Sequence, residues 1–502
     1  MSAKIGRIKK VLVANRGEIA VRVIRAIHEL GLMAVAVYSD ADRGALHVRY
    51  ADEAFHLPGN EPAKTYLNQS LLLVAAKSTG ASAIHPGYGF LSENASFAKA
   101  VAAAGLIFIG PSAEVITAMG DKIRARETML RAGVPLVPGQ SGITRENLVT
   151  AAKATGFPLM LKASAGGGGK GIRIVRAEAE LLAAFERAEG EARTAFGDGT
   201  VYIERLIENP HHIEIQVFGD SHGNVVHLFE RECSVQRRHQ KVLEESPSPF
   251  VTPELRARMG ATAVAAAKAI GYTGAGTFEF LVDGAREFYF LEVNTRLQVE
   301  HPVTELVCGV DLVQEQIRVA DGQPLSFKQE DLVQRGHAIE ARICAEDPDN
   351  GFLPCIGRVD ALALPGGPGV RLDSALFAGL EVSLWYDSLL AKLIVYGRDR
   401  EEALKRMKQA LAEMKIADLR TNIAFLGRVV RGAEFSSGVY DTGLIGRMQE
   451  SGAPEDLVLA AAIVAVAVSA ETARRGKPRV SSEMASADPW KLDGRRSAMR
   501  GG

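Results

Sequence analysis

Cysteine is scarce. Cys233, Cys308, Cys344 and Cys355 are the only four in 502 residues, and none stands in a CxxC pair. That excludes a disulfide framework and a clustered zinc site, and it points to a reducing compartment. Charge of one sign is also missing, with 59 Lys and Arg against 60 Asp and Glu. A chain so near neutrality carries no long-range field for nucleic acid or an anionic membrane, so any phosphate it binds is held locally. The longest apolar run, 457–470, has 14 residues and is rich in alanine. A bilayer-spanning helix needs roughly 20. The start, MSAKIGRIKK, is basic but leads into VLVA and then charge, without the apolar core of a signal peptide. The reading is a soluble, cytoplasmic protein with no nucleic acid and no membrane among its partners.

What remains is an ordinary globular composition, 47% apolar and 24% charged. Its length fits about three domains of roughly 150 residues each. The first ~115 residues alternate strand and helix. Strands are predicted over 10–14, 33–38, 83–85 and 106–110, and a helix over 18–30 that ends at Gly31. This rhythm predicts a doubly wound parallel sheet. The first turn, Asn15-Arg16-Gly17-Glu18, lacks the GxGxxG of a dinucleotide cradle. Near residue 155 the pattern changes to strands with short links (159–163, 172–175, 201–207, 213–219, 225–232), which predicts an antiparallel sheet. A strand pair over 274–283 and 287–296, a helix over 304–320, mixed strands from about 335 and a helix over 401–415 follow.

Three clusters carry chemistry. The first is the glycine run Ala165-Gly166-Gly167-Gly168-Gly169-Lys170-Gly171. Gly171 stands where a Walker A loop needs Ser or Thr, and the next residues read as a strand. A glycine loop between two antiparallel strands is a flap over phosphates, with Lys162 adding a point charge; the plain alternative is a flexible turn. The second cluster lies in Glu292–Glu300. If extended, it places Glu292, Asn294, Arg296, Gln298 and Glu300 on one face, with Glu279 on the paired strand among aromatics. Two carboxylates and an amide oxygen form a hard donor set suited to Mg²⁺ bound with nucleotide phosphates; the alternative is a solvated strand face. The third, Gln236-Arg237-Arg238-His239-Gln240-Lys241, reads as a charged loop or as the lining of an anion site. His211 and His212 point to opposite faces of a strand. Arg342, taken alone, reads as a structural ion pair.

Together these motifs resemble the biotin carboxylases of the ATP-grasp superfamily. The resemblance runs from about residue 8 to 447 through VLVANRGEIA, AIHPGYGFLSEN, KASAGGGGKG, HHIEIQV, ERECSVQRRHQKVLEESP, GTFEF, FLEVNTRLQVEHPVTE, ARICAEDP and YDSLLAKLI. It implies an N-terminal doubly wound parallel-sheet domain (1–116), a central ATP-grasp domain (117–332) with a glycine-loop lid at about 134–207, a C-terminal mixed α+β domain (333–447) and an Ala-rich, then polar, tail (448–502).

The family roles then fall on particular residues. Lys122, Lys162, Gly168 and Gly169 would hold ATP phosphates. Glu204, Arg205, Leu206 and Ile207 would form the hinge that reads adenine, and His212, Gln236 and His239 would contact the nucleotide. Glu279, Glu292 and Asn294 would bind two Mg²⁺ or Mn²⁺ ions, the two glutamates lying also against ATP. Lys241, Arg296, Gln298 and Val299 would hold bicarbonate, with Glu300 as its base. Arg342 would face the biotin ring, with Asp387 nearby. Arg205, Ala165 and Ile172 depart from common family residues, and none of these changes removes a catalytic group.

The implied activity is the ligase reaction that carboxylates carrier-borne biotin with ATP and bicarbonate, through carboxyphosphate. It would be the first half-reaction of an acetyl- or propionyl-CoA type carboxylase of fatty acid metabolism. Met414-Lys415-Ile416 is similar to a biotin attachment site, but Leu404, Met407, Leu411 and Met414 lie at helical spacing and place Lys415 at a helix end. The implied partners are therefore a separate biotin carboxyl carrier protein or domain, a carboxyltransferase subunit, plus a second copy of the chain in a homodimer. Alternatives are another ATP-grasp ligase, of carbamoyl-phosphate type, and a non-catalytic nucleotide-binding subunit.

Overall fold

The computed structural model describes residues 6–163, 172–197 and 199–450. Five parallel strands open the chain: β1 (Lys10–Val13), β2 (Met33–Tyr38), β3 (Glu53–His56), β4 (Ala83–His85) and β5 (Ile107–Phe108), in the order β3-β2-β1-β4-β5. Val11, Leu12 and Val13 are all fully buried. A continuous apolar run is what a parallel strand covered on both faces requires. The helix Gly17–Glu29 turns Ile19, Val23 and Ile27 inward, and Gly31 beyond it takes a positive φ of 72°. The Asn15 turn binds protein. Its amide donates to the carbonyls of Pro86 and Tyr88, both at 2.7 Å. Gly87 between them has a φ of 64°, and a Cβ there would meet Asn15 at 2.9 Å, so the close approach needs glycine.

The strands predicted as one antiparallel run belong to two sheets. β6 (Gly139–Gln140), β7 (Leu159–Ala163), β8 (Ile172–Val175) and β9 (Val201–Arg205) form a small antiparallel sheet in the order β6-β9-β7-β8. β8 and β9 are joined by a 19-residue helix, Glu178–Phe196, rather than by a short link. Leu181 and Phe185 of that helix pack with Leu159, Leu161 and Ile203 in a core separate from those of the other two sheets. β7 and β8 pair antiparallel, so the glycine run connects neighbouring strands as predicted. Its residues 164–171, Gly168 and Gly169 included, lie outside the described residues, as does the tail from 451 with its Ala-rich run.

The largest sheet holds eight antiparallel strands. β10 (His211–Gly219), β11 (Val225–Arg237), β12 (Gln240–Ser246), β13 (Gly274–Val282), β14 (Phe288–Asn294) and β15 (His337–Cys344) run in the order β14-β13-β10-β11-β12-β15, continued by Leu389–Gly397 and Val370–Ser374. The charged run Gln236–Lys241 is thus a hairpin tip. β12 beyond it joins β11 to β15 and carries the sheet across residue 332. Two helix boundaries also differ from expectation. The segment 304–320 is two helices, His301–Cys308 and Leu312–Ala320, broken after Gly309 in left-handed conformation. The later helix is Arg400–Glu413, capped at Met414. Lys415 stands beyond it in a short strand, Lys415–Ile416, paired with Leu362–Ala363. It occupies neither a helix end nor a hairpin tip.

Glu245 on β12 anchors the later strands and helices. Its fully buried carboxylate lies 2.5 Å from His337 Nε2, accepts from Arg400 at 2.8 and 2.9 Å, and accepts the Tyr440 hydroxyl. Burial alone would raise its pKa. His337 and Arg400 outweigh this and bring it from 4.5 to about 2. A depressed carboxylate pKa contributes stability that is full above its unfolded value and is lost as pH falls toward the folded one. Glu245→Gln is therefore expected to cost about 3 kcal/mol near pH 7. In urea unfolding the gap to the parent protein should close between pH 4.5 and 2; a gap constant with pH would mean that charge is not its source.

Candidate active site

Alternation on β10 turns His212, Glu214 and Gln216 to one face. Register does the rest: Glu214 lies opposite Arg231 on β11 and Glu279 on β13, and Glu279 lies opposite Glu292 on β14. At the β11–β12 tip, Gln236 pairs with Lys241 across a tight turn whose two central residues, Arg238 and His239, have φ of 48° and 66°. Such turns favour Asn-Gly. Here they are occupied at some strain by two long exposed side chains.

Lys241 is the hub. Its ammonium donates to Glu214 at 2.5 Å, to Glu300 at 2.7 Å and to Glu279 at 2.8 Å. Glu279 Oε1 also accepts from the amides of Asn294 (2.8 Å) and Gln298 (2.7 Å), while Oε2 lies 2.8 Å from His212 Nε2. The other nitrogen of His212 faces the Gln236 amide at 2.7 Å. Beneath them the fully buried Arg231 donates to Glu214, to Gln216 at 2.7 Å and to Gln298 Oε1 at 2.6 Å. Both ends of the Gln298 amide are thereby fixed.

Two further guanidinium groups border the hub. Arg342 on β15 donates to Glu244 at 2.6 Å and to Glu300 at 2.9 Å. Arg296 donates to Asn294 Oδ1 at 2.9 Å and to Glu93 at 2.9 Å. Glu93 arrives from the N-terminal sheet region and also accepts the Thr295 N–H at 3.0 Å. The stretch Glu292–Glu300 is not extended throughout. β14 ends at Asn294, and the remainder is a loop leading into the helix His301–Cys308. Arg296, Gln298 and Glu300 converge through loop geometry rather than through strand alternation.

Charges in so confined a space fix one another. Burial would pull the Lys241 pKa down; the carboxylates of Glu214, Glu279 and Glu300 reverse this and hold it well above the usual value. Burial would push Glu279 up, yet Lys241 and His212 hold it well below the carboxylate range. Glu300 behaves likewise under Lys241, Arg342 and Arg231. Glu244 goes the other way: burial outweighs Arg342 and raises it to about 7.

Other sequence-predicted residues fall at various distances from this hub. Lys162 on β7 and Arg126 both bind the buried carboxylate of Glu204 on β9. The backbone N–H groups of Arg205 and Leu206 donate to the carbonyls of Pro138 and Pro158, tying the end of β9 to the segments that lead into β6 and β7. Ile207 is buried. Lys122 opens the helix Lys122–Arg131. His239 is exposed on the hairpin turn. Asp387 is exposed as well, and its carboxylate accepts the Leu389 N–H at 2.8 Å rather than pairing with Arg342.

Glu214, Arg231 and Glu93 are not singled out by the sequence, though they contact Lys241, Gln298 and Arg296, while Glu244, which follows the charged run, contacts Arg342. Period-two alternation in HHIEIQV was enough to place Glu214 beside His212. Nothing local marks Arg231 or Glu93, whose partners are 15 to 203 residues away.

A divalent cation fits Glu279, Glu292 and Asn294. Their donors are hard oxygens, the two carboxylates sit opposite on adjacent strands, and Asn294 Oδ1 retains a second lone pair. Together with Glu93, Glu214, Glu244 and Glu300, the carboxylates outnumber the cations Lys241, Arg231, Arg296 and Arg342, leaving room for added positive charge.

A small antiparallel sheet beside an acidic cluster clamped by lysine and arginine, next to a parallel N-terminal sheet, defines an ATP-grasp ligase. Family profiles described as "Biotin carboxylase, N-terminal domain", "Carbamoyl-phosphate synthase L chain, ATP binding domain" and "Biotin carboxylase C-terminal domain" match residues 7–116, 121–328 and 340–447. A biotin carboxylase of Nostoc sp. is 53% identical over 443 residues, covering 88% of this chain and 99% of its own. A pyruvate carboxylase subunit from Methanothermobacter thermautotrophicus is 52% identical over 438 residues, covering 87% and 89%. Among solved structures, the biotin carboxylase domain dimer of the Hydrogenobacter thermophilus 2-oxoglutarate carboxylase, crystallised with MgADP, ADP and bicarbonate, superposes with a TM-score of 0.84 at 50% identity, covering 88% and 98%. The chain belongs to the biotin carboxylase family. It is an ATP-dependent ligase that carboxylates biotin, and it uses ATP and Mg²⁺. No helix among the described residues is long and apolar enough to cross a membrane.

Proposed function

We propose that this chain supplies the biotin-carboxylating half-reaction of an acyl-CoA carboxylase, acting as a homodimer on biotin borne by a carrier protein or domain and feeding a carboxyltransferase. The observation that supports the residue roles best is Glu300 held between Lys241 and Arg342. Lys241, Arg296, Gln298 and Val299 would receive bicarbonate. Glu300, unprotonated and already within reach, would accept its proton. Its basicity would rise as incoming anions draw Lys241 and Arg342 away. Attack of the bicarbonate oxygen on the γ-phosphate gives carboxyphosphate and ADP. Carboxyphosphate breaks to CO₂ and phosphate, and the phosphate removes the N1′ proton of biotin. Arg342 would stabilise the ureido enolate, as a preorganised donor does for a developing oxyanion.

Lys122, Lys162, Gly168 and Gly169 would hold the ATP phosphates under a lid of about 134–207. Glu204–Ile207 would read adenine, with His212, Gln236 and His239 on the nucleotide and Asp387 near biotin. Glu279, Glu292 and Asn294 would hold Mg²⁺ or Mn²⁺, two ions in all, whose positive charge offsets that of the phosphates. The domain limits that go with these roles are 1–116, 117–332 and 333–447. The acyl-CoA acceptor rests on the glycine run, whose form with Ala165 and Lys170 resembles that of acyl-CoA carboxylase α-subunits more than that of the bacterial acetyl-CoA type. Relatives acting in pyruvate and 2-oxoglutarate carboxylases are similarly close.

Purified protein is expected to release ADP only with a divalent cation and bicarbonate, and faster when free biotin is added. ADP release indifferent to both bicarbonate and biotin would overturn the proposed half-reaction. The acceptor is tested separately, by adding biotinylated carrier and carboxyltransferase with acetyl-CoA, propionyl-CoA, pyruvate or 2-oxoglutarate.

A further inference from the structure

Two buried side chains with no role in the scheme above hold successive carbonyls of the loop that carries Gln298, Val299 and Glu300. His301 Nδ1 lies 2.8 Å from the Gln298 carbonyl, and the ring is fully buried. A carbonyl only accepts, so Nδ1 carries the proton. Burial first, then Lys392, Arg22 and Arg371, hold the His301 pKa well below its usual value, so the ring is neutral. Lys392, likewise fully buried, donates from Nζ to the Val299 carbonyl at 2.9 Å. Its strand places it directly opposite Arg342. The same ammonium lies 3.3 Å from Glu18 on the first helix and 3.8 Å from Asp373. Glu18 in turn accepts the Tyr88 hydroxyl.

Peptide geometry gives these contacts a consequence. In a trans peptide the C=O and the following N–H point in opposite directions in one plane. Holding the Gln298 carbonyl toward His301 aims the Val299 N–H away from His301. Holding the Val299 carbonyl toward Lys392 sets the plane from which the Glu300 side chain departs. A buried ammonium costs far more than a hydrocarbon of equal length, so packing alone does not account for Lys392.

We propose that His301 and Lys392 are positioning residues for bicarbonate: by fixing the carbonyls of Gln298 and Val299 they present the Val299 N–H and the Glu300 carboxylate in the orientation that captures it. This rests on the proposed assignment of Gln298–Glu300 to bicarbonate. Displacing such a loop by about 1 Å is expected to raise the KM for bicarbonate roughly ten- to hundredfold.

The test is steady-state ADP release by His301→Leu, which removes the donor, and His301→Asn, whose amide can replace it. Lys392→Met is paired with Glu18→Gln/Lys392→Met, which relieves the carboxylate left behind, and thermal unfolding of each variant checks the fold. His301→Leu and the double variant should raise the bicarbonate KM with the ATP KM unchanged, and His301→Asn should stay near the parent. A merely structural role would lower the active fraction and kcat and leave the bicarbonate KM alone, and that result would overturn the proposal. If the Lys392 variants do not fold, the two neutral His301 exchanges decide. Arg296→Ala is the control: if it too leaves the bicarbonate KM unchanged, the bicarbonate assignment itself fails.

Discussion

Arg342→Ala is expected to lower the rate of biotin carboxylation roughly 10²–10³-fold, the usual loss for one well-aimed oxyanion donor. Bicarbonate-dependent ADP release should survive in part. Arg342 would act on biotin, whereas Lys241, Arg296 and Glu300 would serve the earlier step, and the Lys241–Glu300 contact is kept. The separation will not be complete, because Arg342 also donates to Glu300 and Glu244. Its loss takes from buried Glu244 the guanidinium that donates to it and lets the Glu300 pKa rise. Arg342→Ala/Glu244→Gln removes the first of these effects. Parallel assays of ADP and carboxybiotin decide the matter: equal losses in both activities, persisting in the double variant, would show that Arg342 shapes the site without acting on biotin. Glu292→Gln should impair both activities, as expected if Glu292 holds the metal as proposed.

Lys241→Met should be more severe. Removing one partner of a buried ion pair costs roughly 3–5 kcal/mol, and here one ammonium serves three carboxylates. Both activities should disappear. The stability effect has a definite sign. Without Lys241, burial and mutual repulsion push the folded-state pKa values of Glu279 and Glu300 up, against the remaining pull of His212 on the first and of Arg342 and Arg231 on the second. A raised carboxylate pKa penalises the folded state at high pH and ceases to do so as pH falls through it. The variant should therefore gain more thermal stability between pH 8 and pH 6 than the parent, in which Glu244 titrates near 7 but Glu279 and Glu300, held below the ordinary range, do not. A variant whose gain across that interval equals the parent's would mean that Glu279 and Glu300 are not coupled through Lys241.

Much of this site was legible in the chain because its polar residues interrupt apolar strands. Glu279 among phenylalanines, and alternating Glu292 and Asn294, stand out against any background of core residues. The hairpin Gln236–Lys241 was less legible. A dense run of charge is ordinarily solvent-facing, and only pairing with β15 on the far side shows β12 to be an interior strand. Arg231 could not be found, since a buried arginine is identified by partners scattered from Glu214 to Thr304. The division of the antiparallel strands into two sheets was hidden for a similar reason. Local alternation specifies a strand, and which edge it joins depends on helices such as Glu178–Phe196 that cover the sheet afterwards.

Glu93 has an implication for chain engineering. The arginine that would grip bicarbonate takes its counter-ion from the segment that follows β4, held in place through Asn15 at the end of β1. A chimera that exchanges the ATP-binding segment between ligases at the customary boundaries would transplant Arg296 without that acid. The graft would leave an unneutralised guanidinium competing for Asn294 and the acidic cluster. Swaps that keep residues 85–93 together with 292–300 as one inherited unit should tolerate recombination, while those that separate the two should yield folded but idle hybrids.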